Sequence, residues 1–362
     1  MQTSLFTWAA AFANAGVLPQ DDQVLFLPGT ARVLESGKVE ARIDAWVFER
    51  EARPGLTRVF AKYLGLDLDA ITLAQRELFY QRTQLFRVDS QNAQALTLDF
   101  GADQRLSLPS TRMGGRAQVK LSLTASTEAN AVSWLDYSLT LGEGDPRRFV
   151  GRTLVVPPIG LSVVSDIDDT IKQSNVQNRK VLLMNTFARE FLAVPCMAMR
   201  YQQIAASAHA PSFHYLSASP IQLYPPLAEF LAKSGFPAGS VHLRESTSIR
   251  NAIPEHGESR IHKLSVLRTL LADFPERGFM LIGDSGEFDP EIYGEIVREF
   301  SQRQISVRIR DVTGDTRDSP RYRKAFADIN AQRWTLFGDA PAWQTLGTEH
   351  ASADASGAQR CF

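Results

Sequence analysis

The chain has 362 residues, of which 44% are apolar, enough for about two domains with a sizeable core. It carries 39 basic and 40 acidic residues, a net charge of −1, so any attraction to nucleic acid or to an anionic membrane must be local. Two cysteines argue against a disulfide framework, and no apolar run approaches the roughly 20 residues that span a bilayer.

Residues 5–15 are apolar and end in an A-x-A-like triplet, yet no Lys or Arg precedes Arg32. The basic n-region of a secretory signal is missing, and the segment reads as an amphipathic helix of a cytoplasmic protein, with export left open. Residues 23–150 read as mostly β. Val39, Ala41, Ile43, Ala45 and Val47 alternate with polar residues, as in a half-exposed strand. A turn at 35–38 joins this strand to an earlier one around Val33. Further strands are predicted at 96–100, 118–123 and 132–141, with helices at 56–64 and 73–79. Antiparallel strands at this spacing suggest a sandwich or partial barrel. The basic residues Arg147, Arg148 and Arg152 read as a solvated face rather than an anion-binding patch.

From residue 158 strands alternate with helices, which implies an α/β unit with a parallel sheet and covering helices. Leu223, Leu227, Phe230 and Leu231 mark one helical face, and Gly235 suits its C-terminal cap. Leu264, Leu267, Leu270 and Leu271 mark another. Asp289-Pro290 reads as an N-cap followed by proline, opening a helix with Ile292, Ile296, Val297 and Phe300 inward. The last predicted strand is 305–312. The expected division is a β-rich domain over 1–150, an α/β domain over 151–347 and a disordered tail over 348–362.

The apolar run 161–164 reads as a buried strand, and shortly after it comes Asp166-Ile167-Asp168-Asp169-Thr170. Two carboxylates two residues apart repel each other and resist losing water, so they are costly unless a metal or a reaction uses them. One can attack phosphorus while the other moves protons, with Mg²⁺ screening the repulsion. A second acidic cluster, Gly283-Asp284-Ser285-Gly286-Glu287-Phe288-Asp289, follows the apolar run 279–282. Both fall at carboxyl ends of strands, where the sites of parallel sheets lie. There is no phosphate-binding G-x-x-x-x-G-K-[ST] loop, no H-E-x-x-H and no paired C-x-x-C. Each residue has a plainer reading. Asp166 can cap a turn, Asp169 can be solvated or stabilise a turn, Ser217 can simply end a strand, and Lys263 can be plain surface. Asp289 can cap its helix, and His214, inside an apolar strand, reads as packed.

Taken together these residues resemble the haloacid dehalogenase superfamily of phosphohydrolases. Asp166, Asp168 and Thr170 match its DxDx(T/V), Ser217 its strand-end Ser/Thr, Lys263 its Lys, and Asp284 and Asp289 its GDxxxxD. More narrowly, SDIDDTIK, YLSASP with QLYPPL, the His262-Lys263 pair and LIGDSGEFDPEIY resemble the App1-type phosphatidate phosphatases over roughly residues 150–315. The resemblance implies a three-layer Rossmannoid domain with Mg²⁺ as cofactor. It implies Asp166 as nucleophile, forming an aspartyl-phosphate, and Asp168 as general acid and then base. The metal would be held by Asp166, the backbone carbonyl of Asp168, and Asp284. Asp289 would orient a metal-bound water, cap its helix, or both. Ser217, Lys263 and Thr170 would hold phosphoryl oxygens, Ser219 could add a contact, and Lys172 is the competing cation. Cys196 stands where glycine is expected in a VPGM-like segment.

Between Thr170 and Ser217 lie 46 residues, and between Ser217 and Lys263 lie 45. Neither interval holds a large cap, so the site should be open to a bulky phosphomonoester. The resemblance, not the spacing, suggests phosphatidate as substrate, released as diacylglycerol and phosphate at a peripheral membrane surface, with no nucleic-acid partner. The alternatives are a phosphatase of the same mechanism acting on a phosphoprotein or soluble ester, and a non-enzymatic lipid-binding or scaffold protein.

Overall fold

A computed structural model describes residues 18–50, 54–124, 131–207, 211–246 and 256–338. The amphipathic helix expected at 5–15 and the tail expected from 348 lie outside these residues.

The first half contains strands β1 (Asp22–Leu27), β2 (Gly29–Val33) and β3 (Val39–Glu49), then helices α1 (Pro54–Leu64) and α2 (Leu73–Thr83). Six more strands follow: β4 (Asp89–Ser90), β5 (Thr97–Asp99), β6 (Arg105–Ser107), β7 (Arg116–Leu123), β8 (Ser133–Leu139) and β9 (Val150–Val156). They make one continuous nine-stranded sheet in the order β1-β3-β2-β9-β8-β5-β6, with β4 and β7 also paired to β3. The alternating residues of β3 are almost wholly buried. They meet Val24 and Phe26 of β1, Leu98 of β5, Tyr137 of β8 and Val155 of β9 in one apolar interior around which the sheet curls. The sequence reading did not place β9, and the boundary expected at 150/151 falls at its start. The strand belongs to the first sheet, antiparallel to β8 and parallel to β2. Its last four residues are all buried, without the alternation that marks a half-exposed strand.

The second half runs β10 (Leu161–Ser165), α3 (Arg179–Phe187), α4 (Met197–Ala205), β11 (Ser212–Pro220), α5 (Tyr224–Lys233), β12 (Gly239–Arg244), α6 (His256–Asp273), β13 (Gly278–Asp284), α7 (Asp289–Glu299), β14 (Ile305–Arg310), α8 (Pro320–Ala325) and β15 (Trp334–Phe337). Its six strands are parallel, in the order β12-β11-β10-β13-β14-β15. The strand expected to be last, at 305–312, is β14, and β15 continues the sheet beyond it. That strand is only four residues long and half of it is partly exposed, so it carries little periodic signal. Successive β10 residues face opposite cores. Val163 packs with Leu183 and Phe187 of α3, Tyr201 of α4 and Leu227 of α5. Val164 packs with Leu267 of α6 and with Ile292 and Ile296 of α7. Gly235 follows α5 at φ +77, with its N–H on the Ala232 carbonyl at 3.2 Å, the closure its sequence position suggested.

The two halves share a core. Leu27, Trp46, Phe60 and Phe79 from the first sit in one cluster with Phe187, Phe213 and Leu227 from the second. At the other edge Asp273, closing α6, accepts from Arg42 Nη2 at 3.1 Å and from Lys120 Nζ at 2.9 Å. The order of the parallel sheet reverses at β10, whose neighbours β11 and β13 lead the chain to opposite sides. This opens a crevice at the carboxyl end of β10.

Candidate active site

Asp166 leaves β10 with its N–H on the Ile282 carbonyl of β13 at 2.8 Å, which fixes its backbone beside the end of the neighbouring strand. Its carboxylate is buried. Oδ1 lies 2.7 Å from Lys263 Nζ, and Oδ2 accepts from the Thr170 hydroxyl at 3.2 Å. The same hydroxyl lies 3.3 Å from Asp284 Oδ2, so Thr170 bridges the two acidic motifs. Asp284 ends β13, fully buried, with Oδ1 accepting from the Gly286 N–H at 2.6 Å.

Asp289 is the first residue of α7, and Phe288 occupies the cap position. Of the roles left open for Asp289, the cap position goes to Phe288 and the Asp289 carboxylate turns inward. Oδ1 lies 2.6 Å from Lys263 Nζ, and Oδ2 accepts from the Asp284 N–H at 3.3 Å. Gly283 makes room for it, since a Cβ there would come within 2.2 Å of Asp289 Oδ2. Asp166, Asp284 and Asp289 thus each offer an oxygen within a 4.8 Å group. Lys263 reaches this group from α6, buried rather than on the surface. Glu287 Oε2 is a further carboxylate 3.7 Å from its Nζ. The sequence reading did not single out Glu287, although it lies inside the motif that contains Asp284 and Asp289.

Burial pushes the carboxyls of Asp166 and Asp284 well above the usual range. Lys263 works against that shift, while the neighbouring carboxylates, Asp289 prominently, add to it. For Lys263 itself, burial opposes the charge, but Asp166, Asp289 and Glu287 outweigh it and hold the ammonium well above its ordinary pKa. Among the described residues, Asp166, Asp284, Asp289 and Glu287 thus crowd around the Lys263 ammonium. All the donors are hard oxygens, the set that suits a small divalent cation such as Mg²⁺.

Asp168 faces elsewhere. Its Oδ1 lies 2.6 Å from Lys172 Nζ and accepts from the Ser174 hydroxyl at 2.6 Å. Its Oδ2 accepts from the Ser217 and Ser219 hydroxyls, each at 3.1 Å. Burial raises its pKa, but Lys172 and the hydroxyls prevail and bring it down to about 2. Its side chain is not among the three that converge, those of Asp166, Asp284 and Asp289. Lys172 is thus not a rival to Lys263 for Asp166 but the partner of Asp168.

Asp169 shows the turn-stabilising reading. At φ +55 its carboxylate accepts from the backbone N–H groups of Ser174, Asn175 and Val176 at 2.8, 2.7 and 2.6 Å. His214 is packed within the sheet, its Nδ1 2.7 Å from Ser240 Oγ, with burial holding its pKa well below the usual value. Cys196 has φ +66, the left-handed conformation that favours glycine, which gives a physical reason for expecting glycine there.

A cavity of about 60 Å³ is lined by Asp166, Asp168, Ser217, Ser219 and residues of α3. No helix among the described residues is long and apolar enough to cross a membrane.

The family model described as the catalytic domain of phosphatidate phosphatase APP1 matches residues 161–311. The chain is 30% identical over 183 residues to phosphatidate phosphatase APP1 of Saccharomyces cerevisiae, covering 49% of this chain and 30% of that protein. It is 33% identical over 178 residues to an uncharacterized protein of Schizosaccharomyces pombe, covering 47% of this chain and 28% of that one. It thus spans less than a third of the length of either relative. Among solved structures, a sialyltransferase from Photobacterium damsela aligns over 60% of this chain and 37% of its own at 9% identity and a TM-score of 0.22, too low to carry an argument. The matched span contains every acidic, hydroxyl and lysine residue of the site just described, so the likeness to the App1 catalytic domain lies over the residues that build the site.

Proposed function

We propose that the chain is a Mg²⁺-dependent phosphomonoester hydrolase that acts on phosphatidate through an aspartyl-phosphate. The observation that carries this reading is the buried group of Asp166, Asp284 and Asp289 around Lys263, at the carboxyl end of β10. The name of the yeast relative supports the substrate. We take the architecture to be three-layered and haloacid dehalogenase-like over 151–347, without a large cap, and 1–150 to be a β-rich domain, a sandwich or partial barrel.

Asp166 attacks phosphorus. The bond to the leaving oxygen breaks, the electron pair leaves with the alkoxide, and the phosphoryl group stays on the carboxylate. Asp168 supplies the proton to the alkoxide. The entering phosphate anion raises its proton affinity from the low resting value, while Lys172 and the surrounding hydroxyls keep it oriented. Water then attacks phosphorus, Asp168 takes its proton, and the bond to Asp166 breaks to release phosphate. Ser217 and Lys263 hold phosphoryl oxygens, one by a hydroxyl and the other by charge. Thr170 orients the Asp166 carboxylate through the bond they already share. Bound at Asp166, Asp284 and Asp289, with the Asp168 backbone carbonyl, Mg²⁺ would supply charge neutralisation for the transferring group.

Phosphate release from phosphatidate in mixed micelles, with Mg²⁺ and then with excess chelator, tests the reading. Turnover should require the cation and follow the surface fraction of phosphatidate rather than its bulk concentration. Full activity in chelator, with metal content verified as negligible, would contradict it.

A further inference from the structure

The cavity beside Asp166 is lined by two chemically distinct sets of residues. Asp166, Asp168, Ser217, Ser219 and Glu287 are the polar set. The rest are Val176, Leu182, Leu183, Phe187, Ala218, Pro220 and Leu223, with Thr186 the one further hydroxyl. Leu182, Leu183, Thr186 and Phe187 stand at helical spacing on α3, so a single face of that helix contributes four of the lining residues. Among the described residues lining the cavity there is no Lys, Arg, His, Asn or Gln.

This face is held in place. The Asp169 carboxylate gathers the backbone N–H groups of the loop before α3, and Asn185 Nδ2 donates to the Ser174 carbonyl at 3.1 Å. From α2, buried Arg82 donates to the Thr186 carbonyl at 2.8 Å, at the far end of α3. The outer end of α3 carries Arg179 and Lys180, both exposed. Outside the catalytic residues, α3 contributes more of this lining than any other element, so it is the surface that a leaving alcohol in the cavity meets first. A sugar or nucleoside there would lose water from its hydroxyls and find almost no partners, whereas hydrocarbon loses nothing.

We infer that the α3 face is the specificity wall of the site. It receives the hydrocarbon of the leaving alcohol, with Leu182 the specificity-determining residue for esters of apolar alcohols. The inference rests on the phosphomonoesterase reading and deepens it.

Monoalkyl phosphates from methyl to octyl, each below its micellar concentration, test it on the full chain with Mg²⁺. The wild type should show kcat/KM rising with chain length, octyl over methyl by at least about tenfold, as methylenes leave water for the wall. In Leu182→Asn that ratio should fall at least about threefold, and in Leu182→Ala by less, because a polar amide is not introduced. The alanine variant also serves if the asparagine variant does not fold. Equal use of methyl and octyl esters by an active wild type, or an unchanged ratio in either folded variant, would overturn the wall while leaving the phosphatase reading in place. Hydrolysis of none of the esters or of phosphatidate by the wild type would overturn both.

Discussion

At Asp284 the tension in the site is most plain, because its carboxyl is fully buried beside two others and, among the described residues, Lys263 is the cation that opposes them. A cation that binds the folded chain and not the unfolded one stabilises it by about 2.7 kcal/mol at a hundredfold excess over Kd. The melting temperature of the wild type should therefore rise with Mg²⁺, and that of Asp284→Ala should rise far less. In metal-free buffer the variant should melt no lower than the wild type, since a repelling charge has gone. Equal Mg²⁺ shifts in the two proteins would remove Asp284 from the metal site. The acidic residues were legible in the sequence because the chemistry demands carboxylates at fixed spacings. The partners of Asp168 were not. They come from β11 and from the loop after β10, and their hydrogen bonds depend on rotamers that spacing does not specify. Asp289 shows the same limit. Asp-Pro before a helix fits a cap, and it takes the Lys263 contact and the close approach of Gly283 to show that the carboxylate turns inward.

The loop from Asp169 to Val176, with α3 behind it, is the element on which the site depends most. Asp169→Ala removes the acceptor of three backbone N–H groups and places alanine at φ +55. The expected loss is roughly 2–4 kcal/mol, read from the urea midpoint, with turnover falling as the loop loosens. Asp169→Asn should cost less, because asparagine tolerates the left-handed conformation. Equal stability of the alanine variant and the wild type would show that the loop does not depend on this carboxylate. Elements with strong periodicity, such as β3, α5, α6 and α7, could be read directly. Helix α3 could not: its two fully buried side chains, Leu183 and Phe187, sit among partly exposed residues, and no glycine or proline marks its end.

Across the whole molecule, the change in sequence pattern near residue 158 suggested two domains, and α1 and α2 of the first lend their phenylalanines to the core under the parallel sheet. Composition cannot show which core an amphipathic helix joins. Thermal unfolding should accordingly be one transition by circular dichroism and by tryptophan fluorescence alike. Two resolved transitions would mean that the shared cluster does not couple the halves. The catalytic claim needs the assembled crevice, and one comparison tests it most directly: phosphate release from phosphatidate by the wild type and by Asp166→Asn, at equal Mg²⁺ and with both proteins shown to be folded. The amide is a poor nucleophile and a weaker ligand, so turnover should fall at least about a thousandfold. Turnover by the variant at the wild-type rate would contradict the assignment of Asp166 as nucleophile.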